Sequence, residues 1–572
     1  MAFSYLAVNF IYRTLSAFIG VIVSKGHSTL RLLSSLLFAL CVIVVFGCGE
    51  QQRPSVAPTK ATGSLPMSKE VSSVVNPQVS AFAAARFLEQ ASWGPSPQAI
   101  AELQGLGFSG WIDAQLKKPI TQINAPNFVI DFNDQDRAQN DLARGWMETR
   151  LLDAQMLGED QLRQRMAWAI FGFIPVGNGP PPYGRLEYFN LLQRNALGDF
   201  KEFIIRLTRN PTMGNFLDNN NNTAQNPNEN YGRELMQLFT VGLVQLNPDG
   251  SVRRNAKGLP LETYSQDDVI AATKALSGWQ FVWENNLPQR NWANYGKEMV
   301  MRGRTQDHDS SSKRLLGDSL PSGLNAEQEL AALADLLTRH PNTAPFVSRR
   351  LIQGLVTSDP SPDYVQRVST VFVASKGNLA SVARAILLDP EARAGDTPGA
   401  SQLPRFGRIK EPMLHFSQML RGLGCQSSIR DRNNRTYPWR AWTQDIWAAP
   451  NVFGYVSPDH LAPQSGVVAP EQRLLTTDEL NRRLGSVDFE YRQAELREAG
   501  CDIDLFLAAS SRSDDALLAL IAERYFRGAM PATLRFHAKS LLSKELAGYT
   551  PARRVGETLQ FVLSTAQFGV IK

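Results

Sequence analysis

The chain has 572 residues, of which 43% are hydrophobic and 20% charged, and its formal net charge is +5. This is the composition of a globular protein that can bury a large core. Three bases and no acid lie in residues 1–48, so the remainder carries only +2. Without a concentrated basic patch elsewhere, the sequence argues against nucleic-acid binding.

The first 48 residues have the features of an export signal. Basic residues precede the apolar run 32–46, which is short for a membrane span and has the length of a signal-peptide core. Gly47 and Cys48 then resemble the bacterial lipoprotein signal, with Cys48 as the lipidated residue. Phe46 departs from the small or aliphatic residue usual there, so an uncleaved anchor and plain secretion stay open. We expect an exported protein, anchored in the membrane and lying in the periplasm or at the cell surface.

The segment 49–80 is rich in Ser, Pro, Thr, Gln and Val, and it predicts a flexible tether. Beyond it only Cys425 and Cys501 remain. Neither lies in a C-x-x-C motif, so no zinc or redox site is expected. Two interpretations stay open for this pair: a disulfide, if the compartment is oxidising, or two buried free thiols.

Residues 81–572 predict a mainly α, multi-helical globular domain. The clearest periodic segments are 82–92, a helix opened by Ser96 and Pro97, 160–173, 188–197, 200–209, a helix capped by Ser265, 326–338, 344–355, 362–374, 379–388, 411–423, 514–526 and 532–543.

Two segments depart from this helical pattern. Between residues 279 and 304, bulky apolar residues alternate around a turn rich in Pro and Asn, which predicts a small β-hairpin. The stretch 392–404 is rich in Gly, Pro and Ser and predicts a boundary between two lobes of the domain.

One further helix is predicted from Asn226 to Gly242. Asn226 is a suitable N-cap and Pro227 suits the first helical position, while Gly242 supplies a left-handed stop. Glu229 falls where a capping-box acid reaches back to the cap, and its pairing with Arg233 one turn later is an ordinary helix-surface ion pair.

Glu234 is the stronger candidate for chemistry in this helix. It projects near the border between the polar and apolar faces, where folding either pairs a carboxylate or raises its pKa. The helix therefore contributes Glu234, Arg233 and Glu229 as candidate site residues.

A series of motifs follows in chain order through the body: Arg86-Phe-Leu-Glu-Gln-Ala-Ser-Trp-Gly-Pro95, Leu162-Arg-Gln-Arg165, Pro211-Thr-Met-Gly214, the 228–235 core, Tyr264-Ser-Gln-Asp-Asp-Val269, Ala275-Leu-Ser-Gly-Trp279, His308-Asp309, Arg350-Leu351, Lys410-Glu411-Pro412 and Asn451-Val-Phe-Gly454. By these motifs the chain resembles the large bacterial DUF1800 family, with the Asn-rich stretch 219–222 as one departure. The resemblance implies export to the envelope and frequent genetic pairing with a second exported family, DUF1501. It supplies no activity, cofactor or catalytic residue.

A second candidate constellation is Asp307-His308-Asp309. A histidine flanked by carboxylates serves as a general acid or base or as a metal ligand, although a surface turn with a capping aspartate has the same pattern. Arg349-Arg350 resembles a clamp for phosphate or carboxylate, but it lies in a periodic helix where ion pairing is expected. No metal site or cofactor is predicted, because the chain has six histidines and lacks nucleotide-binding and G-x-S-x-G motifs.

Two functions from different classes follow. The favoured one is a non-catalytic binding or assembly factor for an exported partner, such as a DUF1501-type protein. The alternative is an anchored hydrolase or lyase on an extracellular polymer. In it Glu234 is the general acid, Asp309 or Glu229 the second carboxylate, and Arg233 the charge stabiliser. The alternative requires Glu234, Arg233 and His308 to converge in one cleft.

Overall fold

The structure, a computed structural model, describes residues 79–130, 136–177, 179–283, 294–428, 444–445, 447–485 and 489–572. The predicted signal and the tether up to residue 78 lie outside them. No helix in the described part of the chain is long and apolar enough to cross a membrane. The predicted mainly α, multi-helical fold is confirmed.

The α-helices of the described ranges are joined by connections of very different length. They are Ala81–Ala91, Pro97–Lys117, Asn127–Ile130, Arg137–Leu157, Gln161–Phe171, Pro182–Asn195, Phe200–Thr208, Pro211–Phe216, Asn230–Glu234, Gln266–Ala275, Ala326–Arg339, Thr343–Leu355, Pro362–Ala374, Leu379–Leu388, Pro390–Arg393, Pro412–Gly422, Thr477–Gly485, Gln493–Glu498, Ile503–Arg512, Asp514–Tyr525, Ala532–Ser540, Pro551–Leu563 and Ala566–Gly569.

Within the described residues, three short antiparallel sheets of two strands accompany the helices. Their pairs are β1 (Trp279–Gln280) with β2 (Val300–Met301), β3 (Lys313–Leu315) with β4 (Asp318–Leu320), and β5 (Arg408–Ile409) with β6 (Val570–Ile571). The first pair is the predicted hairpin, although residues 284–293 of its turn lie outside the described residues. The third pair ties the C-terminal end of the chain to the start of the helix Pro412–Gly422.

Helix starts follow local capping chemistry where a polar side chain precedes the first turn. Ser96 and Ser361 accept hydrogen bonds from Ala99 and Tyr364 N–H groups, each with proline at the first helical position. Ser265, the predicted cap, forms a complete capping box with Asp268.

The helices enclose one continuous apolar core. Near its centre, the Trp168 ring lies 5.3 Å from Trp93, 5.1 Å from Trp447 and 5.7 Å from Phe171, measured between ring centroids. The indole Nε1 of Trp168 donates to Glu411 Oε1 at 2.7 Å. The aromatic centre therefore contacts a buried carboxylate directly.

Glu411 belongs to a buried ionic network that joins several helices. Arg408 lies 3.1 Å from Glu471 and 3.5 Å from Glu411, and the three side chains are at most 11% exposed. Arg165 Nη2 and Arg408 Nη1 both donate to the Gly354 carbonyl, at 2.7 and 2.5 Å. Burial opposes the ionisation of Glu411, but the charges of Arg408 and Arg165 help to hold its pKa below the ordinary value.

Cys425 and Cys501 are joined by a disulfide. The bridge connects the turn after the helix Pro412–Gly422 to the segment before Ile503–Arg512. Backbone hydrogen bonds from Gln426 to Ala499 at 2.7 Å and from Asp502 to Leu423 at 2.8 Å reinforce the same junction. The division into two lobes near 392–404 stays a prediction.

The substitution Glu471→Gln should lower the free energy of unfolding by about 3–5 kcal/mol, because it leaves the buried Arg408 guanidinium without its nearest carboxylate. The matched control is Glu202→Gln, which breaks the exposed Glu202–Arg206 pair of 2.9 Å and should cost about 0–1 kcal/mol. Urea unfolding at neutral pH measures both. Similar losses for the two variants would contradict a structural role of the network.

Candidate functional site

The helix predicted to start at Asn226 starts later, at Asn230. The turn before it is held by other asparagines, since Asn228 N–H donates to Asn222 Oδ1 at 3.1 Å and Asn230 N–H donates to Asn228 Oδ1 at 3.0 Å. The predicted N-cap role of Asn226 is therefore wrong. So is the capping-box role of Glu229, which occupies the cap position without a capping hydrogen bond from its side chain.

The Asn-rich stretch has a definite structural role. Asn222 is 1% exposed, and its Nδ2 donates to the Thr273 carbonyl at 2.8 Å. Its own carbonyl accepts from Gly278 N–H at 2.9 Å. Asn222 thus joins the start of the Asn230–Glu234 helix to the end of the helix Gln266–Ala275.

Glu229 and Arg233 form the predicted ion pair. Their side chains lie 2.7 Å apart and are 38% and 37% exposed. Gln266 Nε2 donates to both Glu229 carboxylate oxygens at 3.0 and 3.1 Å, and its Oε1 accepts from Arg233 at 3.1 Å. Glu229 is therefore an engaged carboxylate on a half-exposed surface.

Glu234 lies on the buried side of this helix, with 8% exposure. Its Oε2 has no hydrogen-bond partner among the described residues. Burial raises the pKa of Glu234, and the nearby charge of Arg233 opposes that effect only in part. Glu234 thus stays protonated more readily than a free carboxyl does.

After Glu234 the helix widens into a π-helical turn, Leu235–Phe239, and then stops. Gly242 has a φ of 75°, so the predicted left-handed stop is confirmed. A Cβ at Gly242 would lie 2.8 Å from the Phe346 ring, so glycine also allows that ring its close approach. The contact with Phe346 places the end of the Asn226–Gly242 segment against the helix Thr343–Leu355.

His308 and Asp309 lie in a different, more buried group. His308 Nδ1 is 3.0 Å from the Ser277 carbonyl and therefore carries the proton, which leaves Nε2 facing Glu329 Oε2 at 3.6 Å. Lys313 Nζ donates to Glu329 Oε1 at 2.7 Å, and both side chains are at most 1% exposed. Burial lowers the pKa of His308 and raises that of Glu329.

Asp309 is stabilised as an ion. Burial opposes this, but hydrogen bonds from Ser311 and the charges of Lys313 and Lys274 hold the pKa of Asp309 below its ordinary value. Lys274 and Lys313 each lie 3.7 Å from the Asp309 carboxylate. Sequence reasoning missed the role of Glu329, whose helical position gave no signal of a buried charge.

The Glu229–Arg233 group and the His308–Asp309 group are separate hydrogen-bonding networks in the described part of the chain. Within the described ranges, the hydrogen bonds and ion pairs around Glu229 and Arg233 share no residue with those around His308 and Asp309. The described residues also contain no group of three or more His, Cys, Asp or Glu side chains arranged to hold a metal.

A cleft of about 340 Å³ opens beside the end of the Asn226–Gly242 segment. We call it the Gly242 cleft. Its walls come from residues 237–246, from the helix Thr343–Leu355 through Phe346, Arg349 and Arg350, and from residues 452–459. Leu243 and Phe453 on its wall are 56% and 51% exposed, so its apolar surface reaches solvent.

The polar end of the Gly242 cleft is built from two arginines and one acid. Arg350 donates to both Asp459 oxygens at 3.0 and 2.8 Å, and its guanidinium lies 5.0 Å over the Phe346 ring. Arg349 reaches the same carboxylate only at 3.8 Å, and its buried Nε has no partner in the described part of the chain. The ion pairing expected for Arg349-Arg350 is present but leaves one positive charge in excess.

Residues 243–263 form a small meander that completes this wall, which sequence reasoning missed. Gln245 N–H donates to the Leu261 carbonyl at 2.8 Å, and Arg253 N–H donates to the Gln245 carbonyl at 2.8 Å. The turns contain Asp249-Gly250 and Lys257-Gly258, and both glycines have a φ of 77°. These two turn dipeptides were the available signal.

Together these features define a mainly α-helical protein with an apolar cleft that ends in an excess positive charge. The chain belongs to the DUF1800 family, since the family model, described as a protein of unknown function, matches residues 86–570. Neither the curated proteins nor the solved structures gave a match to the chain.

The substitution Glu234→Gln should stabilise the fold at neutral pH. A carboxyl whose pKa is raised on folding is most favourable when protonated, so its contribution is lost as the pH rises above its ordinary value of 4.5. Denaturant midpoints should be higher for the variant at about pH 7 and should converge with wild type below about pH 4.

Glu229→Gln is the matched control, because that carboxylate is ion-paired and half exposed. It should lower the midpoint slightly or leave it unchanged. A Glu234→Gln midpoint that falls at neutral pH would show that the buried carboxylate is stabilised in the folded protein.

Proposed function

We propose that this protein is an envelope-anchored binding or assembly factor, and that the Gly242 cleft receives a segment of an exported partner. The observation that carries the proposal is an apolar cleft that is open to solvent and whose polar end holds Arg349 beside a carboxylate already bound by Arg350. A segment with apolar side chains and an acidic group is the matching chemistry.

Several features support binding at this cleft. Its volume of about 340 Å³ is in the range of pockets that take a few side chains rather than a whole domain. Exposed Leu243 and Phe453 supply apolar surface whose burial favours association. The Arg350–Asp459 pair fixes the loop on the far wall, so the cleft is preformed.

The hydrolase or lyase alternative has weaker support. General acid–base catalysis needs two groups within reach of one substrate, one protonated and one ionised. Glu234 fits the acid, but Glu229 is engaged by Arg233 and Gln266, and Asp309 is held by Ser311 and two lysines. Glu234 is also absent from the described lining of the Gly242 cleft.

Envelope location is part of the proposal and rests on residues 1–48. An apolar run of signal length followed by Gly47-Cys48 supports lipidation at Cys48. The Cys425–Cys501 disulfide is the kind of bond that persists in an oxidising compartment, which supports export independently of the signal. A DUF1501-type exported protein is the proposed partner.

Cross-linking in the native envelope tests the cleft. A photo-reactive phenylalanine analogue at position 453 should give a discrete cross-linked product, while the same analogue at exposed Phe536, which is not on the cleft wall, should not. Adding Arg349→Glu reverses the incompletely paired charge and should reduce the yield about tenfold, whereas Glu234→Gln should leave it unchanged. Equal yields at positions 453 and 536 would remove the cleft from the proposal.

The anchor is tested by Cys48→Ala in the full-length protein. Loss of the lipidated residue should abolish incorporation of a labelled fatty acid into the protein. Cys41→Ala, within the apolar run 32–46, is the control and should keep the label. A wild-type protein that takes up no label would indicate an uncleaved anchor or plain secretion instead.

A further inference from the structure

The structure has a second cavity, of about 430 Å³. Its walls include the start of the helix Pro97–Lys117, residues 156–161 and residues 424–426. We call it the Arg421 cavity. Arg421, in the last turn of the helix Pro412–Gly422, contributes its guanidinium to this wall. The residues of the Gly242 cleft do not overlap with it.

Arg421 is held by backbone rather than by an acid. Its Nε donates to the Gly94 carbonyl at 2.8 Å and its Nη1 donates to the Met156 carbonyl. No carboxylate of the described ranges forms an ion pair with it, and burial lowers its pKa to about 10. Its remaining Nη2 has no partner among the described residues, so a fixed cation with free donors faces the cavity.

The other charges on the wall largely cancel in pairs. Lys118 lies 3.0 Å from Glu159, and Arg524 lies 3.1 Å from Asp502. The remaining acid, Glu102, is exposed to solvent and forms no ion pair in the described part of the chain. Screening by water weakens the effect of Glu102 on a buried charge, so Arg421 dominates the interior of the cavity.

The helix Pro97–Lys117 adds one backbone N–H and the positive end of its dipole to the same wall. Its first residues lie on the cavity wall, and Ser96 Oγ accepts from Ala99 N–H at 3.2 Å. Pro97 has no N–H, and the Gln98 N–H has no hydrogen-bond partner among the described residues. The positive end of a helix dipole therefore reinforces the guanidinium.

We propose that the Arg421 cavity is a binding site for the oxyanion group, carboxylate or phosphate, of a small molecule. Arg421 presents its free guanidinium N–H groups to the anion, and the start of the helix Pro97–Lys117 adds the Gln98 N–H. The cavity is larger than a lone phosphate requires, so the anion belongs to a larger ligand whose remainder lies along Leu88, Trp111 and Met156.

Thermal unfolding of the full-length protein tests the site. Sodium phosphate and sodium acetate should each be compared with sodium chloride at equal ionic strength. We expect a saturable rise in Tm with at least one of the two oxyanions, and the one with the lower half-saturation concentration identifies the preferred group. Arg421→Gln should raise that half-saturation concentration about tenfold or more.

Arg535→Gln is the matched control, since it removes an arginine that pairs with exposed Asp515 at 3.0 Å and lines neither the Gly242 cleft nor the Arg421 cavity. It should leave the oxyanion effect unchanged. Loss of the effect in Arg535→Gln with retention in Arg421→Gln would overturn the assignment, as would no Tm rise with either oxyanion.

If Arg421→Gln does not fold, the wild-type protein still gives an answer. Modification of Arg421 by phenylglyoxal, followed by peptide mass spectrometry, should be slowed at saturating phosphate or acetate. The same rate of modification with chloride and with both oxyanions would reject the site.

Discussion

The buried ionic network around Arg408, Glu411 and Glu471 is the constraint on which the rest of the structure depends. Such a network contributes little net stability, because each charge loses its hydration on folding. Its effect is to specify one arrangement, since any packing that separates the partners leaves an unpaired charge in the core. The helices that carry Arg165 and Gly354, and the helix that starts after Glu411, are thereby fixed in register with the strand that carries Arg408.

This network also positions the Gly242 cleft. The helix Thr343–Leu355 provides the Gly354 carbonyl to Arg165 and Arg408 at one end, and provides Phe346, Arg349 and Arg350 to the cleft along the same axis. Because buried charges fix one end of this helix, its orientation varies little. The side chains that line the cleft are therefore held in place before a partner binds. The motif residues Arg165 and Glu411 therefore act on the cleft through the fold, without touching it.

Exposure and pairing differ among the candidate residues in a way that their positions in the sequence do not predict. Glu229 and Glu234 are only five positions apart, yet one is half exposed and ion-paired while the other is buried with an unpartnered oxygen. His308, a candidate from its local pattern, faces Glu329 across 3.6 Å, and no local pattern indicates that pairing. Burial sets the pKa of a carboxyl, and burial is decided by how distant helices pack.

The sequence by itself determined the features that depend on local chemistry. Capping by Ser265 and Ser361, the left-handed stop at Gly242, the Glu229–Arg233 pair and most helix positions follow from interactions within one or two turns. The late helix start at Asn230 depends on the tertiary structure, because Asn222, which accepts from Asn228 N–H, is itself held by the distant Thr273 carbonyl. The close approach of Gly242 to Phe346 depends on it as well. These outcomes, like the unpaired Arg421 and the excess charge at Arg349, depend on contacts between residues far apart in the chain, which hydrophobic periodicity does not encode.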